Sequence, residues 1–173
     1  DDDFRGFHKI EVLLFGYQDP QAAAPYAARL TRSIAQLKQN LAELDRFDAA
    51  GQFGGMYALT NEVAAKKISS EEEAWSDQSL LIFKHNWTGA YSQFQPFAVL
   101  VGRTAPAKVE AVENAYRAAG ETLTPFFTRG VVAASPYTTV SMTDRRRMAD
   151  ASNRMRDAIA EASVVIGADS EIS

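Results

Sequence analysis

Leu30, Ile34, Leu37, Leu41 and Leu44 recur at alternating spacings of four and three residues. Such a run lies on one stripe only in a helix, where a repeat of about 3.5 residues keeps an a/d seam on a single face. A strand would send successive side chains to opposite faces. The stretch from Pro20 to about Asp48 therefore reads as one long helix, with Asp19-Pro20 at its start because proline suits an early helical position. A long helix with an apolar seam is held by neighbours rather than by propensity. The fold this implies is all-α, an antiparallel helical bundle.

The remaining chain reads the same way. A first helix spans about Phe4 to Phe15, with Phe7, Ile10 and Leu14 toward the core and Gly16 as its stop. Gly51, Gly54 and Gly55 separate the seam helix from a third, about Met56 to Lys67, which carries Leu59 and Val63 on one face. Ser70 and Glu73 have capping-box spacing ahead of the periodic run Leu80, Phe83, Trp87, Tyr91 and Phe94, which Pro96 ends or kinks. Thr104 and Pro106 open a helix striped by Val109, Val112, Tyr116, Ala119 and Leu123. Residues 128–140 read as a loop. Thr143 caps a last helix, about Asp144 to Ile166, with Met148, Met155, Ile159 and Ala162 inward and Gly167 at its close. At 173 residues, the chain is expected to form a single domain over 1–173.

Charge and residue inventory remove several functions. A net charge of −4 argues against nucleic acid, which selects a basic face. No apolar run approaches the roughly 18 residues of a membrane span, so the chain does not read as an integral membrane protein. With no cysteine, thiolate metal sites and cysteine catalysis are absent.

Chemistry concentrates in two stretches. In Gly6-Phe7-His8-Lys9-Ile10-Glu11, His8 and Glu11 stand three apart on a helix, with Cβ atoms about 5–6 Å from one another. An imidazole and a carboxylate so placed can hold one cation together, but a tightly bound ion needs further ligands. The same spacing also suits a hydrogen-bonded histidine beside a solvated glutamate. The second stretch is Lys67-Ile68-Ser69-Ser70-Glu71-Glu72-Glu73-Ala74-Trp75-Ser76-Asp77-Gln78-Ser79-Leu80, with Asn86 and Gly89 beyond it. Its three glutamates would be favoured in a first helical turn whether or not they bind anything.

Together, in this order and at this distance, the two stretches resemble the imelysin-like family, which includes the periplasmic iron-uptake components of Efe-type systems. Its members carry Gly-x-His-x-x-Glu and then a segment of the form Lys-Ile-Thr-Gly-Glu-Glu-x-x-Tyr-Ser-His-Thr-Asp-Leu. The resemblance implies a helical bundle that binds a metal ion through His8, Glu11, Glu71 and Glu72, with Asp77 as a further ligand where the family has histidine. Trp75 stands in place of its tyrosine and Ser79 in place of its aspartate. One imidazole with several carboxylates suits iron, zinc or manganese, and calcium where carboxylates dominate. The resemblance further implies a periplasmic location and a membrane permease or other uptake partner. Because family domains have helices ahead of the motif, it also implies that this chain is the C-terminal portion of a larger helical domain, completed by a separate N-terminal fragment if the chain has been cut.

Catalysis is not expected. Zinc peptidases use His-Glu-x-x-His or His-x-x-Glu-His, whereas Glu11 is followed by Val12 and the second histidine is His85, read as a surface or hydrogen-bonded group. No Gly-x-Ser-x-Gly elbow or phosphate loop occurs, and a di-iron bundle would need two Glu-x-x-His helices. Ser76, Asn86 and Gly89 read as capping, hydrogen-bonding and close-packing residues. A rival function is binding of an acidic polysaccharide by Arg145, Arg146, Arg147, Arg154 and Arg156 on the last helix, with or without a bridging metal. A bundle with a purely structural role is the third reading.

Overall fold

The computed structural model describes residues 5–43, 48–68, 75–127, 130, 133 and 135–172, which form helices, turns and loops with no strand among them. The helices are α1 (Gly6–Glu11), α2 (Pro20–Ala42), α3 (Ala49–Glu62), α4 (Ser79–Gly102), α5 (Pro106–Leu123) and α6 (Met142–Val165). Two of them continue into π-helical turns, Val12–Gly16 after α1 and Val63–Lys67 after α3. Such turns are rare and recur at functional sites. Here each adjoins one of the two motif stretches.

Contacts divide the chain into two compact units, the first Asp1–Phe47 with Glu73–Asp77, the second Asp48–Glu72 with Gln78–Ser173. In the second unit α3, α4, α5 and α6 pack in ring order around one core. Phe53, Met56, Val63, Phe83, Trp87, Phe94, Val112, Ala119, Met148, Met155 and Ile159 are buried there, so the stripes read from α4, α5 and α6 do face inward. A polar thread crosses this core. The Trp87 indole N–H donates to Ser152 Oγ at 2.9 Å, and that hydroxyl donates to the Thr60 carbonyl at 2.8 Å.

Helix ends follow local chemistry, though not always at the expected residue. Asp19 caps α2 through Ala22 N–H, with Pro20 in the first turn. α6 is capped by Ser141 rather than Thr143; its hydroxyl accepts from Asp144 N–H and donates to the Asp144 carboxylate. Gly167 (φ +65°) closes α6 in a Schellman turn, in which Ala168 N–H reaches the Ser163 carbonyl. Ser141→Ala is expected to lower stability by about 1 kcal/mol. Hydrogen exchange would read this as faster exchange of the first-turn amides of α6, and unchanged exchange there would refute it.

Several boundaries differ from expectation. The glycine cluster does not break a helix: α3 begins at Ala49 behind an Asp48 cap and includes all three glycines. Gly54 is needed because a Cβ there would lie 2.8 Å from Glu171 Cβ. α4 starts at Ser79, not near Ser70, since residues 75–78 turn and Asp77 adopts φ +59°, which a right-handed helix cannot contain. Ser70 and Glu73, the expected capping box, lie outside the described residues. Pro96 neither ends α4 nor stops its periodicity. Pro96 is exposed, as is Ser92, whose carbonyl it leaves unpaired within the helix, so water can satisfy that group.

The first unit contains the largest departures. Its buried cluster is Val12, Leu13 and Ala23, with Ile10, Ala22 and Tyr26 partly buried against it, whereas Phe7 and Leu14 are exposed. The buried side chain that α1 contributes instead is Glu11, whose carboxylate accepts hydrogen bonds from the turn at Trp75 and Ser76. The seam of α2 is also uncovered. Leu30 is half-buried, while Ile34, Leu37 and Leu41 are exposed, and every residue from Thr31 to Glu43 is exposed. Leu44 lies outside the described residues.

Candidate metal site

Glu11 is a carboxylate only 6% exposed, an arrangement that requires strong partners. They come from 64 and 65 residues away in sequence. Oε1 accepts from Ser76 Oγ at 2.8 Å, Ser76 N–H at 2.9 Å and Trp75 N–H at 3.3 Å. Charge-assisted bonds of this kind hold a carboxylate in a single orientation. Gly16 makes the approach feasible, because a Cβ at that position would stand 3.0 Å from Trp75 Cδ1. The turn carrying Trp75 and Ser76 can thus lie against the end of the π-helical segment and present its N–H groups to Glu11.

With Oε1 clamped, Oε2 faces His8 Nδ1 at 3.4 Å. That is long for a hydrogen bond. It fits two ligands of one ion: a cation about 2.1 Å from an imidazole nitrogen and from a carboxylate oxygen, with tetrahedral angles, separates those donors by about 3.4 Å. His8 is 51% exposed, so an ion has access from solvent.

The five residues expected at the site fare differently. His8 and Glu11 are together. Asp77 directly follows Ser76 in the turn that grips Glu11, with its backbone in the left-handed region. Glu71 and Glu72 lie outside the described residues. Among the described residues no group of three or more histidine, aspartate and glutamate side chains could hold a metal ion.

Ser76 does hydrogen-bond, as read, but its partner Glu11 was not foreseeable, because nothing in residue spacing pairs positions 65 apart. The local signal was the serine itself beside a bulky aromatic. His85 is exposed on α4. Gly89 has open space where its Cβ would be, so close packing is not its role, and Asn86 keeps a buried Nδ2 with no hydrogen-bond partner. Three of the five α6 arginines bond within the fold, while Arg146 and Arg154 are exposed. Arg145 donates to the Val140 and Tyr137 carbonyls, Arg156 to Asp157, Asn61 and Asn153, and Arg147 pairs with Asp144 at 3.6 Å.

The profile of the family described as imelysin (Peptidase M75) matches residues 1–162. The chain belongs to the imelysin family. Among relatives of this imelysin chain, the iron uptake system component EfeM of Pseudomonas syringae pv. syringae (strain B728a) is 38% identical over 89 residues, covering 51% of this chain and 31% of that protein. The iron uptake system component EfeO of Escherichia coli (strain K12) is 37% identical over 90 residues, 52% of this chain and 24% of that protein. The imelysin chain therefore spans less than a third of the curated relatives it matches. Although the family carries a peptidase label, these relatives are named for iron uptake. No described helix is long and apolar enough to cross a membrane.

Proposed function

We propose that this imelysin chain is a metal-binding part of an iron-uptake protein, with no catalytic turnover, and that iron is its cargo. The observation that carries the reading is the pairing of His8 Nδ1 with a buried, pre-oriented Glu11 carboxylate at 3.4 Å. Support comes from the iron-uptake names of the relatives, EfeM and EfeO. His8 and Glu11 supply the first two ligand atoms and Glu71 and Glu72 complete the acidic set, with Asp77 joining only as its carboxylate turns toward the bound ion, because it forms no three-ligand group with His8 and Glu11 in the structure. The donor set of one imidazole with hard oxygens accepts iron, zinc or manganese. A periplasmic setting and a membrane permease that receives the ion follow from the same reading.

Capture would proceed by coordination. The clamp on Oε1 holds the carboxylate in place before the ion arrives, so little ordering is needed on binding. Release follows when a ligand protonates or a partner alters the geometry, because metal affinity depends on deprotonated ligands.

Calorimetric titration with Fe(II), Fe(III), Zn(II), Mn(II) and Ca(II) tests the proposal. His8→Ala is expected to weaken binding of the preferred ion by about tenfold or more, with unfolding unchanged because the imidazole is half exposed. Glu71→Ala and Glu72→Ala, titrated in parallel, show whether those carboxylates contribute. Equal affinity in the chain and in His8→Ala, or no binding by a folded chain, would overturn the assignment.

A further inference from the structure

Within the second unit, α4, α5 and the short turn after α5 enclose a cavity of about 280 Å³. Its apolar lining is Trp87 and Leu123, both buried, with the half-buried ring of Phe127. Gly120 keeps it open. This glycine stands inside α5 with helical backbone, and a Cβ there would meet nothing within 4 Å, so neither chain conformation nor packing calls for it. Glycine weakens a helix relative to alanine. What the missing side chain leaves is room in the cavity wall.

Two polar groups on this lining are donors without a strong acceptor. Lys84 Nζ sits 5.0 Å from the centre of the Phe127 ring, and among the described residues no carboxylate pairs with it or lines the cavity. The second donor is the Tyr116 hydroxyl. Thr88 donates its own hydroxyl proton to the Lys84 carbonyl at 2.8 Å, so in the 3.4 Å contact between Thr88 and Tyr116 only the tyrosine can donate. Bonds between hydroxyls are about 2.5–3.0 Å long, so this one is weak and the phenol can turn to a better acceptor. The Tyr116 ring is fixed meanwhile by stacking on Tyr91, with centres 4.2 Å apart and planes inclined by 7°.

We infer that this cavity binds a small aromatic carboxylate, its ring against Trp87, Leu123 and Phe127 and its carboxylate taken by Lys84 Nζ and the Tyr116 hydroxyl. An ammonium without a carboxylate partner selects an anion, and a phenol O–H beside it adds a directed bond. A phosphate is met by more donors, commonly arginine forks or a helix N-terminus, and among the described residues no arginine lines the cavity. Aromatic walls favour an aromatic body, because rings attract in offset and edge-on contacts. The volume lies just under the roughly 300 Å³ at which small-molecule sites begin, which limits the ligand to one or two rings. All these residues belong to the second unit, so the inference does not rest on metal binding by the first.

The probes are naphthoate and its uncharged counterpart naphthalenemethanol, titrated into the isotope-labelled full chain and followed by the amide resonances of Lys84, Thr88, Gly120 and Thr124. Naphthoate is expected to bind at least about tenfold more tightly than the alcohol. Lys84→Met should remove that preference while leaving the alcohol's affinity unchanged. Tyr116→Phe, which keeps the ring, should weaken naphthoate by about fivefold, the worth of one hydrogen bond. Gly120→Leu should fill the cavity and remove binding of both probes, with the other resonances of α5 and α6 unmoved because leucine is the better helix former. Equal affinity for acid and alcohol in the parent chain would overturn recognition of the carboxylate. Absence of shifts at these amides at millimolar naphthoate, or binding that survives Gly120→Leu, would overturn the site itself.

Discussion

Glu11→Ala is expected to lower the stability of the first unit by about 3 kcal/mol, because it removes one buried acceptor and strands three donors. Those donors are Trp75 N–H, Ser76 N–H and the Ser76 hydroxyl. Glu11→Gln separates architecture from ligation. Its amide oxygen can accept all three bonds at the Oε1 position, while an NH₂ replaces the charged Oε2 that faces His8. The glutamine variant should therefore keep the turn in place yet bind the preferred cation at least about tenfold more weakly. Urea unfolding followed at the Trp75 indole resonance, with calorimetry alongside, reads both effects. A glutamine variant with native metal affinity would show that Glu11 is a structural clamp and not a ligand. An alanine variant with native stability would show that the turn at 75–76 is held by something else.

The second large effect belongs to the other unit. Trp87→Ala is expected to destabilise it by about 3–5 kcal/mol, the range for emptying an aromatic site in a close-packed core. Trp87 is 1% exposed, and its indole donates to Ser152 Oγ, which itself donates to the Thr60 carbonyl. Trp87→Phe keeps most of the packing and loses one buried hydrogen bond, so its effect should be nearer 1 kcal/mol, as expected for such a bond. Chemical denaturation of both variants tests the ordering. A loss below about 1 kcal/mol for the alanine variant would mean that the core collapses into the gap.

These two residues also illustrate how legible the chain is. Trp87 belongs to the run Leu80, Phe83, Trp87, Tyr91 and Phe94, whose helical spacing marks an inward face; Tyr91 is partly buried and the other four side chains are buried. The same holds for Met148, Met155, Ile159 and Ala162 on α6. Periodicity succeeds there because each helix of the second unit has neighbours on its apolar side. On α2 the pattern is as regular, yet Leu37 and Leu41 are exposed. A seam encodes a demand for cover but not whether cover is present.

Ion-binding chemistry follows the same division. His-x-x-Glu is local, and a helix brings residues three apart together whatever surrounds it, so His8 and Glu11 could be named in advance. Burial of Glu11, the choice of Oε1 for the clamp and the role of Ser76 depend on a turn more than 60 residues downstream. That pairing has no signature in spacing.

By itself, then, the sequence determined the all-α class, the inward faces of α4, α5 and α6, and the His8–Glu11 pair, because each rests on helical geometry over one or two turns. Tertiary structure alone decided that α3 runs through its glycines, that α4 waits until Ser79, that the α1 carboxylate is buried and that the α2 seam is bare. Each of those depends on which distant backbone or side chain comes to occupy the adjoining space: Glu171 against Gly54, and Trp75 and Ser76 against Glu11. Local geometry can place a group on a helix face, but only packing between remote segments sets what that face meets.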